Sequence, residues 1–167
     1  MAVGLGFRAA AVDPMGNVID EYAMSLYNTV HIKEAIWLIE RFGCSDYPLL
    51  VADTVVTAQG KILRKAKDET DAREMLSIQS GAETDIVTCM IYKTPRRELI
   101  DISITRYFFN PFEPKDIERY IQSGNWCGKA GACMVEGFCK PYIREVRGFE
   151  STAMGLSIEV LKPFLEE

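Results

Sequence analysis

The residues with the clearest chemical potential are an acid and a hydroxyl at the end of one apolar run. Asp53 and Thr54 follow Val51-Ala52 and precede Val55-Val56, in a segment whose composition favours a buried strand. An acid that ends a buried strand is costly to leave without a partner, so it usually caps a structure or takes part in a reaction. We therefore interpret Asp53 as a candidate base or metal ligand.

Three lysines supply candidate cations around this acid. Lys65 comes from the loop after the same strand, Lys33 from the preceding helix and Lys129 from a glycine-rich loop. Ammonium groups offset the charge of a phosphate chain, an acid holds Mg²⁺ or activates water, and loop amides cradle oxygens. The combination indicates a phosphate pocket. The alternative, in which the lysines are ordinary solvated surface residues, stays open on spacing alone.

Composition limits the classes of protein to consider. With 167 residues, 48% of them hydrophobic, the chain is long enough for one domain over residues 1–167, or for two small lobes that share one cleft. The net charge of −5 argues against an extended nucleic-acid surface, because binding phosphate backbones needs a surplus of Lys and Arg.

The location and the cysteines follow from simple patterns. No stretch approaches the ~20 apolar residues of a membrane span, and the first residues lack the basic flank of a signal peptide. We therefore expect a cytoplasmic protein with no membrane partner. The five cysteines include no C-x-x-C pair and His31 is the single histidine, which disfavours structural zinc.

The elements that must position these residues alternate between strand and helix. This alternation predicts an α/β fold with a mixed, twisted sheet and flanking helices. Ligands in open α/β sheets bind beyond the carboxyl ends of the strands, where we expect Asp53 and Thr54. The predicted elements are a strand over 3–12, a helix from about 25 or 28 to 42, a strand over 48–56, a helix from the N-cap Asp68 to Ser80-Gly81, antiparallel strands over 84–93 and 98–109, a helix from Pro114 to Gly124, a loop over 128–132, a strand over 140–146 and a helix over 154–165.

Several segments together resemble the Maf family of nucleoside triphosphate pyrophosphatases, in that family's order along the chain. The resemblance implies two lobes around a central cleft, similar to inosine triphosphate pyrophosphatase. It also implies hydrolysis of a nucleoside triphosphate to the monophosphate and pyrophosphate with Mg²⁺ or Mn²⁺. The matching segments are Ala52-Asp53-Thr54-Val55-Val56, Gly60 with Ile62-Leu63 and Lys65, Ala72 with Met75-Leu76, Ser80-Gly81 with Thr88, Ile117 with Tyr120 and Gly124, Lys129-Ala130-Gly131, Glu136-Gly137 and Gly155-Leu156.

The resemblance also assigns roles to individual residues. Asp53 matches the catalytic acid and a metal ligand, and Glu21 more loosely matches an acidic residue that helps to hold the metal. Thr54 and Glu136 match positions that set base specificity. Lys33 and Lys65 match phosphate-binding lysines of the family, and Lys65 is also assigned as catalytic. Lys129, from the glycine-rich loop, is the third lysine expected at the phosphates.

The chain departs from the family at several positions. The family has a Ser-x-x-Arg-Arg loop that grips phosphate, and we find no counterpart of it ahead of the matched segments. Because each charge-assisted hydrogen bond is worth roughly 1.5–3 kcal/mol, its loss implies weakened turnover. A misplaced gene start and a drift from catalysis both explain this difference. The second would leave a catalytically silent nucleotide-binding protein that regulates cell division or septum formation. Near the last helix, Thr152 and Ser157 replace the family's Asn and Pro.

Two residues point to different base preferences. The carboxylate of Glu136 suits the N–H donors of guanine and resembles the branch that acts on N7-methylguanosine triphosphate. Thr54 resembles the pyrimidine branch instead. The expected partner is therefore a nucleoside triphosphate of either type, and a homodimer is left open.

Overall fold

The computed structural model describes residues 49–94 and 96–165. The predicted strand over 3–12 and the helix that ends near residue 42 lie outside these ranges. The described elements are β1 (Leu49–Ala58), β2 (Lys61–Leu63), α1 (Glu69–Gln79), β3 (Glu83–Lys93), β4 (Glu98–Phe109), α2 (Pro114–Gln122), a 3-10 turn (Lys140–Tyr142), β5 (Ile143–Arg147), α3 (Glu150–Ala153) and α4 (Ile158–Leu165).

The five strands form one open sheet in the order β2-β1-β3-β4-β5. This sheet with its helices confirms the predicted α/β class. Every pairing among the described strands is antiparallel, so the parallel pairs expected of a mixed sheet do not occur among them. Gln59 and Gly60 join β1 to β2 with φ values of 49° and 73°. Positive φ at both central residues is the geometry of the type I′ turn, one of the two turns that two-residue hairpins favour.

The two faces of the sheet carry different side chains, because successive residues of a strand point to opposite sides. We call one side the helix face, since residues of α1, α2 and α4 pack against it. The other side, called the opposite face, carries an apolar cluster whose members all come from β1, β3 and β4. The helix face carries Thr54, Val56, Thr88 and Met90, and the opposite face carries Asp53, Val87, Cys89 and Ile104.

Local signals predicted several elements correctly. The side chain of Asp68 caps α1 by accepting a 2.8 Å hydrogen bond from the backbone N–H of Asp71, as expected of an N-cap. The antiparallel pair β3–β4 and the helix that begins at Pro114 are confirmed. None of the helices in the described ranges has the length and apolar character needed to cross a membrane.

Two predicted elements near the C-terminus are wrong in their extent. The strand expected over 140–146 begins only at Ile143, because Pro141 lies in a 3-10 turn that precedes it. The helix expected over 154–165 begins only at Ile158, as α4, and the separate short helix α3 ends at Ala153, before the predicted start. The chain breaks at Gly155, whose φ of 103° lies outside the helical region.

Candidate functional site

Asp53 and Thr54 lie in the middle of a strand and do not end it. β1 continues through Val55 to Ala58, and each of these residues keeps its partner on β3. The prediction that the acid lies at a carboxyl end, where ligands of open sheets bind, is therefore wrong. The physical reason is that Val55 and Val56 continue the apolar pairing, and the turn comes only at Gln59-Gly60.

The alternation of β1 sends the two side chains to different faces of the sheet. Asp53 pairs with Cys89 on the opposite face, and Thr54 pairs with Thr88 on the helix face. Burial, with smaller contributions from the charges of Asp101 and Asp53, raises the pKa of the Cys89 thiol to about 11. The acid and the hydroxyl therefore do not share one pocket within the interior of the sheet.

Within the described ranges 49–94 and 96–165, the edge of β1 away from β3 is where the two residues can serve one ligand. Among the described strands, β2 covers only Val56 to Ala58, so residues 49–55 have a partner on the β3 side alone. The backbone N–H of Thr54 donates to Oδ1 of Asp53 at 2.9 Å. This bond turns the carboxylate along the strand, with one oxygen fixed by a backbone donor. Both residues are half-buried, so neither side chain is closed off from a ligand.

Lys65 and Lys129 come from two segments that pair with each other. Lys65 forms an isolated antiparallel bridge with Ala130, and the N–H of Gly131 donates to the carbonyls of Leu63 and Arg64 at 3.1 and 3.0 Å. Because β2 is antiparallel to β1, the chain after Leu63 runs back towards the level of Thr54. The structure thus brings the loops of Lys65 and Lys129 together on this side of the sheet.

The two ammonium groups differ in their surroundings. Lys65 is exposed, whereas Nζ of Lys129 donates to the carbonyl of Asn125 in its own loop. An ammonium has three donors, so Lys129 retains two for another acceptor. Lys33 and Glu21, the remaining predicted phosphate and metal residues, lie outside the described residues.

Glu136 occupies an exposed turn beyond the glycine-rich loop. The N–H of Gly137 donates to the carbonyl of Met134 at 3.1 Å and closes this turn. Its flanks are Cys133 and Cys139, whose Sγ atoms are 2.6 Å apart. Glu136 therefore belongs to a short segment whose two ends meet, and its carboxylate faces solvent.

Sequence reasoning missed a buried hydroxyl network beneath Thr54. Thr54 Oγ1 lies 2.8 Å from Thr88 Oγ1, which donates to the carbonyl oxygen of Thr152 at 2.7 Å. The hydroxyl of Thr152 donates to Ser157 Oγ at 3.1 Å. Thr152 and Ser157 are the two departures from the family's Asn and Pro, and here they are buried and bonded to each other. Their joint change to hydroxyl residues was the available signal.

The fit of a divalent cation depends on the acids that the site provides. Among the described residues, no three His, Cys, Asp or Glu side chains cluster closely enough to hold a metal ion. Mg²⁺ commonly uses one or two carboxylates and completes its shell with water and substrate phosphates. The half-buried Asp53 carboxylate, with one oxygen held by a backbone donor, fits that mode of binding.

Comparison with known proteins gives related sequences that carry enzyme names. Over 123 residues the chain is 55% identical to the nucleoside triphosphate pyrophosphatase of a Nitratiruptor species, an alignment that covers 74% of this chain and 66% of that protein. It is 37% identical over 113 residues to the protein of the same name from Helicobacter pylori. That alignment covers 68% of this chain and 60% of the Helicobacter protein. It is 38% identical over 117 residues to the protein of that name from Campylobacter jejuni subsp. jejuni. That alignment covers 70% of this chain and 64% of the Campylobacter protein.

The alignments thus span between 60% and 66% of the length of these relatives. Their names do not favour the alternative of a catalytically silent protein. The family model described as Maf-like protein matches residues 20–167, which is most of the chain. On this match, and in agreement with the resemblance drawn from its motifs, the chain belongs to the Maf family.

Proposed function

We propose that this protein hydrolyses nucleoside triphosphates between the α and β phosphates and releases the monophosphate and pyrophosphate. The observation that carries the proposal is the 55% identity to a protein named nucleoside triphosphate pyrophosphatase. The half-buried carboxylate at the edge of β1, with a lysine-bearing loop running back towards it, supports the proposal independently.

In the proposed reaction, Asp53 orients the attacking water and accepts its proton. The bond from the N–H of Thr54 fixes Oδ1 of Asp53, which leaves Oδ2 to face the water. The oxygen of that water bonds to the α phosphorus as the bond to the bridging oxygen breaks, and pyrophosphate leaves. Lys65, Lys129 and Lys33 offset the charge that gathers on the leaving group. Thr54 and Glu136 contact the base.

A divalent cation, Mg²⁺ or Mn²⁺, is part of the proposal. Asp53 would hold it together with the substrate phosphates, and Glu21 is the second proposed ligand. When bound, such an ion polarises the phosphate oxygens and stabilises negative charge in the transition state. Removal of the ion with EDTA should therefore abolish turnover, and excess Mg²⁺ should restore it.

The setting of the reaction is also proposed. We place the protein in the cytoplasm as a single domain, acting on free nucleotides without a nucleic-acid partner. The acidic net charge of −5 supports the last point. The proposal leaves a homodimer open, as the sequence does.

The test is pyrophosphate release from UTP, CTP, dTTP, GTP and N7-methylguanosine triphosphate with Mg²⁺ or Mn²⁺. Asp53→Asn keeps the size of the side chain and should lower kcat by about 100-fold or more, because it removes a catalytic base. Asp101→Asn is the matched control, since that acid accepts a 2.6 Å bond from Ser103 on β4 and has no proposed role. Equal activity of the two variants would contradict the assignment of Asp53. Absence of turnover with every nucleotide would contradict the function.

A further inference from the structure

The direction of one buried hydrogen bond determines what Thr54 can offer to a ligand. Thr88 is fully buried, at 0% exposure, and its hydroxyl donates to the carbonyl oxygen of Thr152 at 2.7 Å. A hydroxyl has one proton. Because Thr88 already donates its proton to the carbonyl, its hydroxyl can only accept in the 2.8 Å contact with Thr54. Thr54 is therefore the donor of that hydrogen bond.

Thr54 is left with lone pairs only. Its one proton points into the sheet towards Thr88, so any group that meets Thr54 from the ligand side must itself donate. Gly155 lies beside the hydroxyl of Thr54. A Cβ at Gly155 would stand 3.6 Å from Thr54 Oγ1, in contact with it, and glycine has none.

The carbonyl that orients this chain of hydroxyls is itself held firmly. The oxygen of Thr152 also accepts the N–H of Gly155 at 3.0 Å, and the hydroxyl of Thr152 donates to Ser157. Thr152 and Ser157 are both fully buried. The acceptor of the Thr88 proton therefore has no alternative orientation, and the direction of the chain of bonds is fixed from the interior outwards.

We infer that Thr88 is a positioning residue that locks Thr54 as a hydrogen-bond acceptor and so makes the site distinguish keto from amino bases. This inference rests on the proposed function, in which Thr54 contacts the base. Uracil carries N3–H and O4, whereas cytosine carries an unprotonated N3 and N4–H₂, so the two bases exchange donor and acceptor along this edge. An acceptor-only contact at either position accepts one base and meets a lone pair on the other.

The experiment measures the ratio of kcat/KM for UTP and CTP in the wild type, Thr88→Val and Thr88→Ser. The wild type should prefer one of the two nucleotides by about tenfold or more, the size of one good base contact. Thr88→Val has nearly the same shape but no hydroxyl, which frees the proton of Thr54 to turn outwards. The ratio should then move towards one. Thr88→Ser keeps the hydroxyl and should keep the ratio.

Each outcome decides between the alternatives. A wild-type ratio near one, or an unchanged ratio in a folded Thr88→Val, overturns the inference while the proposed function stands. If the valine variant does not fold, Thr88→Ala removes the same hydroxyl without needing space and takes its place. If the wild type turns over no nucleotide, the proposed function has failed, and the ratio is read from binding of the α,β-methylene analogues of UTP and CTP.

A second inference rests on different atoms, the thiols of Cys133 and Cys139. Their Sγ atoms are 2.6 Å apart, and both are free thiols. Cys139 is fully buried, while Cys133 is partly exposed and so open to a small oxidant. The hydrogen bond with Cys133 and burial both raise the pKa of the Cys139 thiol, so at neutral pH it remains protonated.

We propose that this pair is a modification site, which a peroxide oxidises to an intramolecular disulfide. Cys133 gives up its proton and attacks one peroxide oxygen, forming a sulfenic acid and releasing water or an alcohol. Cys139 then attacks the Cys133 sulfur, the S–S bond forms, the S–O bond breaks and a water molecule leaves. The two thiols lose two electrons and two protons in total, and the peroxide is reduced.

A disulfide between these thiols would change the contacts of Gln79 and the Glu136 turn. In the reduced protein, the Cys133 thiol donates to Oε1 of the buried Gln79 at 3.7 Å. Nε2 of Gln79 in turn donates to the carbonyl oxygen of Gly131 at 2.7 Å. A disulfide removes that donor and ties together the two ends of the Glu136 turn. Oxidation thus acts on the loop that connects Lys129 to Glu136.

The test is peptide mass analysis after treatment with hydrogen peroxide. Trypsin cuts after Lys129 but not between Lys140 and Pro141, so residues 130–144 form one peptide that contains only these two cysteines. After peroxide treatment we expect this peptide to be about 2 Da lighter and to bind no N-ethylmaleimide. Dithiothreitol should restore both the mass and the labelling. Cys127→Ser should leave this result unaltered, whereas Cys133→Ser should abolish it. Peroxide-treated wild type that still labels at both thiols, or in which Cys127 pairs between molecules instead, would overturn the proposal.

Discussion

Replacing Asp85 by Asn should destabilise the sheet strongly while leaving its shape unchanged. Asp85 on β3 and Arg106 on β4 are direct partners in the register. Two parallel bonds join them, from Nε to Oδ1 at 2.6 Å and from Nη2 to Oδ2 at 2.8 Å. The side chains of Asp85 and Arg106 are only 11% and 14% exposed, so this ion pair is largely shielded from water.

The magnitude follows from what the substitution leaves behind. Removing one partner of a buried ion pair costs about 3–5 kcal/mol, because the other charge stays in the interior. Glu83 still lies 3.6 Å from Arg106 and, at 60% exposure, offers a weaker replacement. We therefore expect the free energy of unfolding to fall by about 2–4 kcal/mol. For a chain of this size, that lowers the melting temperature by about 4–16 °C.

The matched control is Glu118→Gln. Arg73 and Glu118 form a pair of the same type between α1 and α2, with bonds of 2.9 and 3.1 Å, but the side chains are 36% and 52% exposed. Water screens this pair, so its loss should leave the urea midpoint near the wild-type value. Urea unfolding followed by circular dichroism compares the variants. Equal shifts in both, or a stable Asp85→Asn, would refute the claim that burial decides the value of the bond.

Three further predictions concern other parts of the fold. Gly148→Ala should lower the urea midpoint much more than Gly124→Ala. A Cβ at position 148 would lie 2.6 Å from the carbonyl oxygen of Ile104, whereas a Cβ at position 124 would face open space. Similar losses in the two variants would show that positive φ alone matters. Asp68→Ala should cost about 1 kcal/mol of unfolding free energy and Asp68→Ser much less, since serine also caps; equal losses would deny the cap its role. Burial raises the pKa of Tyr107 to about 12, above its unfolded value of about 10, so its contribution to stability is complete below pH 10 and is lost towards pH 12. Tyr107→Phe should accordingly unfold at a higher pH in alkaline titration, and an unchanged midpoint would contradict this.

Local chemistry was enough to predict the elements that depend on it. Asp68 can cap only a helix that follows it, and Pro114 favours a first helical turn, so both helices were predicted close to where they begin. The β3–β4 pair follows from two β-rich runs separated by a short turn. At the C-terminus Gly155 carried the signal of a break, but the apolar residues that follow it had favoured one continuous helix.

The site needed the tertiary structure. The end of β1 depends on the hairpin at Gln59-Gly60, and reading the strand as ending at Val56 misplaced Asp53 relative to its end. The hydroxyl partners of Thr54 are further still, since Thr88 lies 34 residues away and Thr152 a further 64. No periodicity in a single sequence links residues at such separations. The family resemblance identified candidate residues, but it did not state which face of the sheet each one occupies.

The alternation of Asp53 and Thr54 along β1 also makes this strand intolerant of small changes in length. A one-residue insertion upstream of Asp53 would turn the acid to the helix face and the hydroxyl away from Thr88, exchanging the surroundings of both. A two-residue insertion would restore the faces but carry both groups about 7 Å along the sheet. Deletions act in the same way. Related sequences should therefore vary in length at the turn Gln59-Gly60 or elsewhere outside the strand. Within the strand itself they should show substitutions but no insertions.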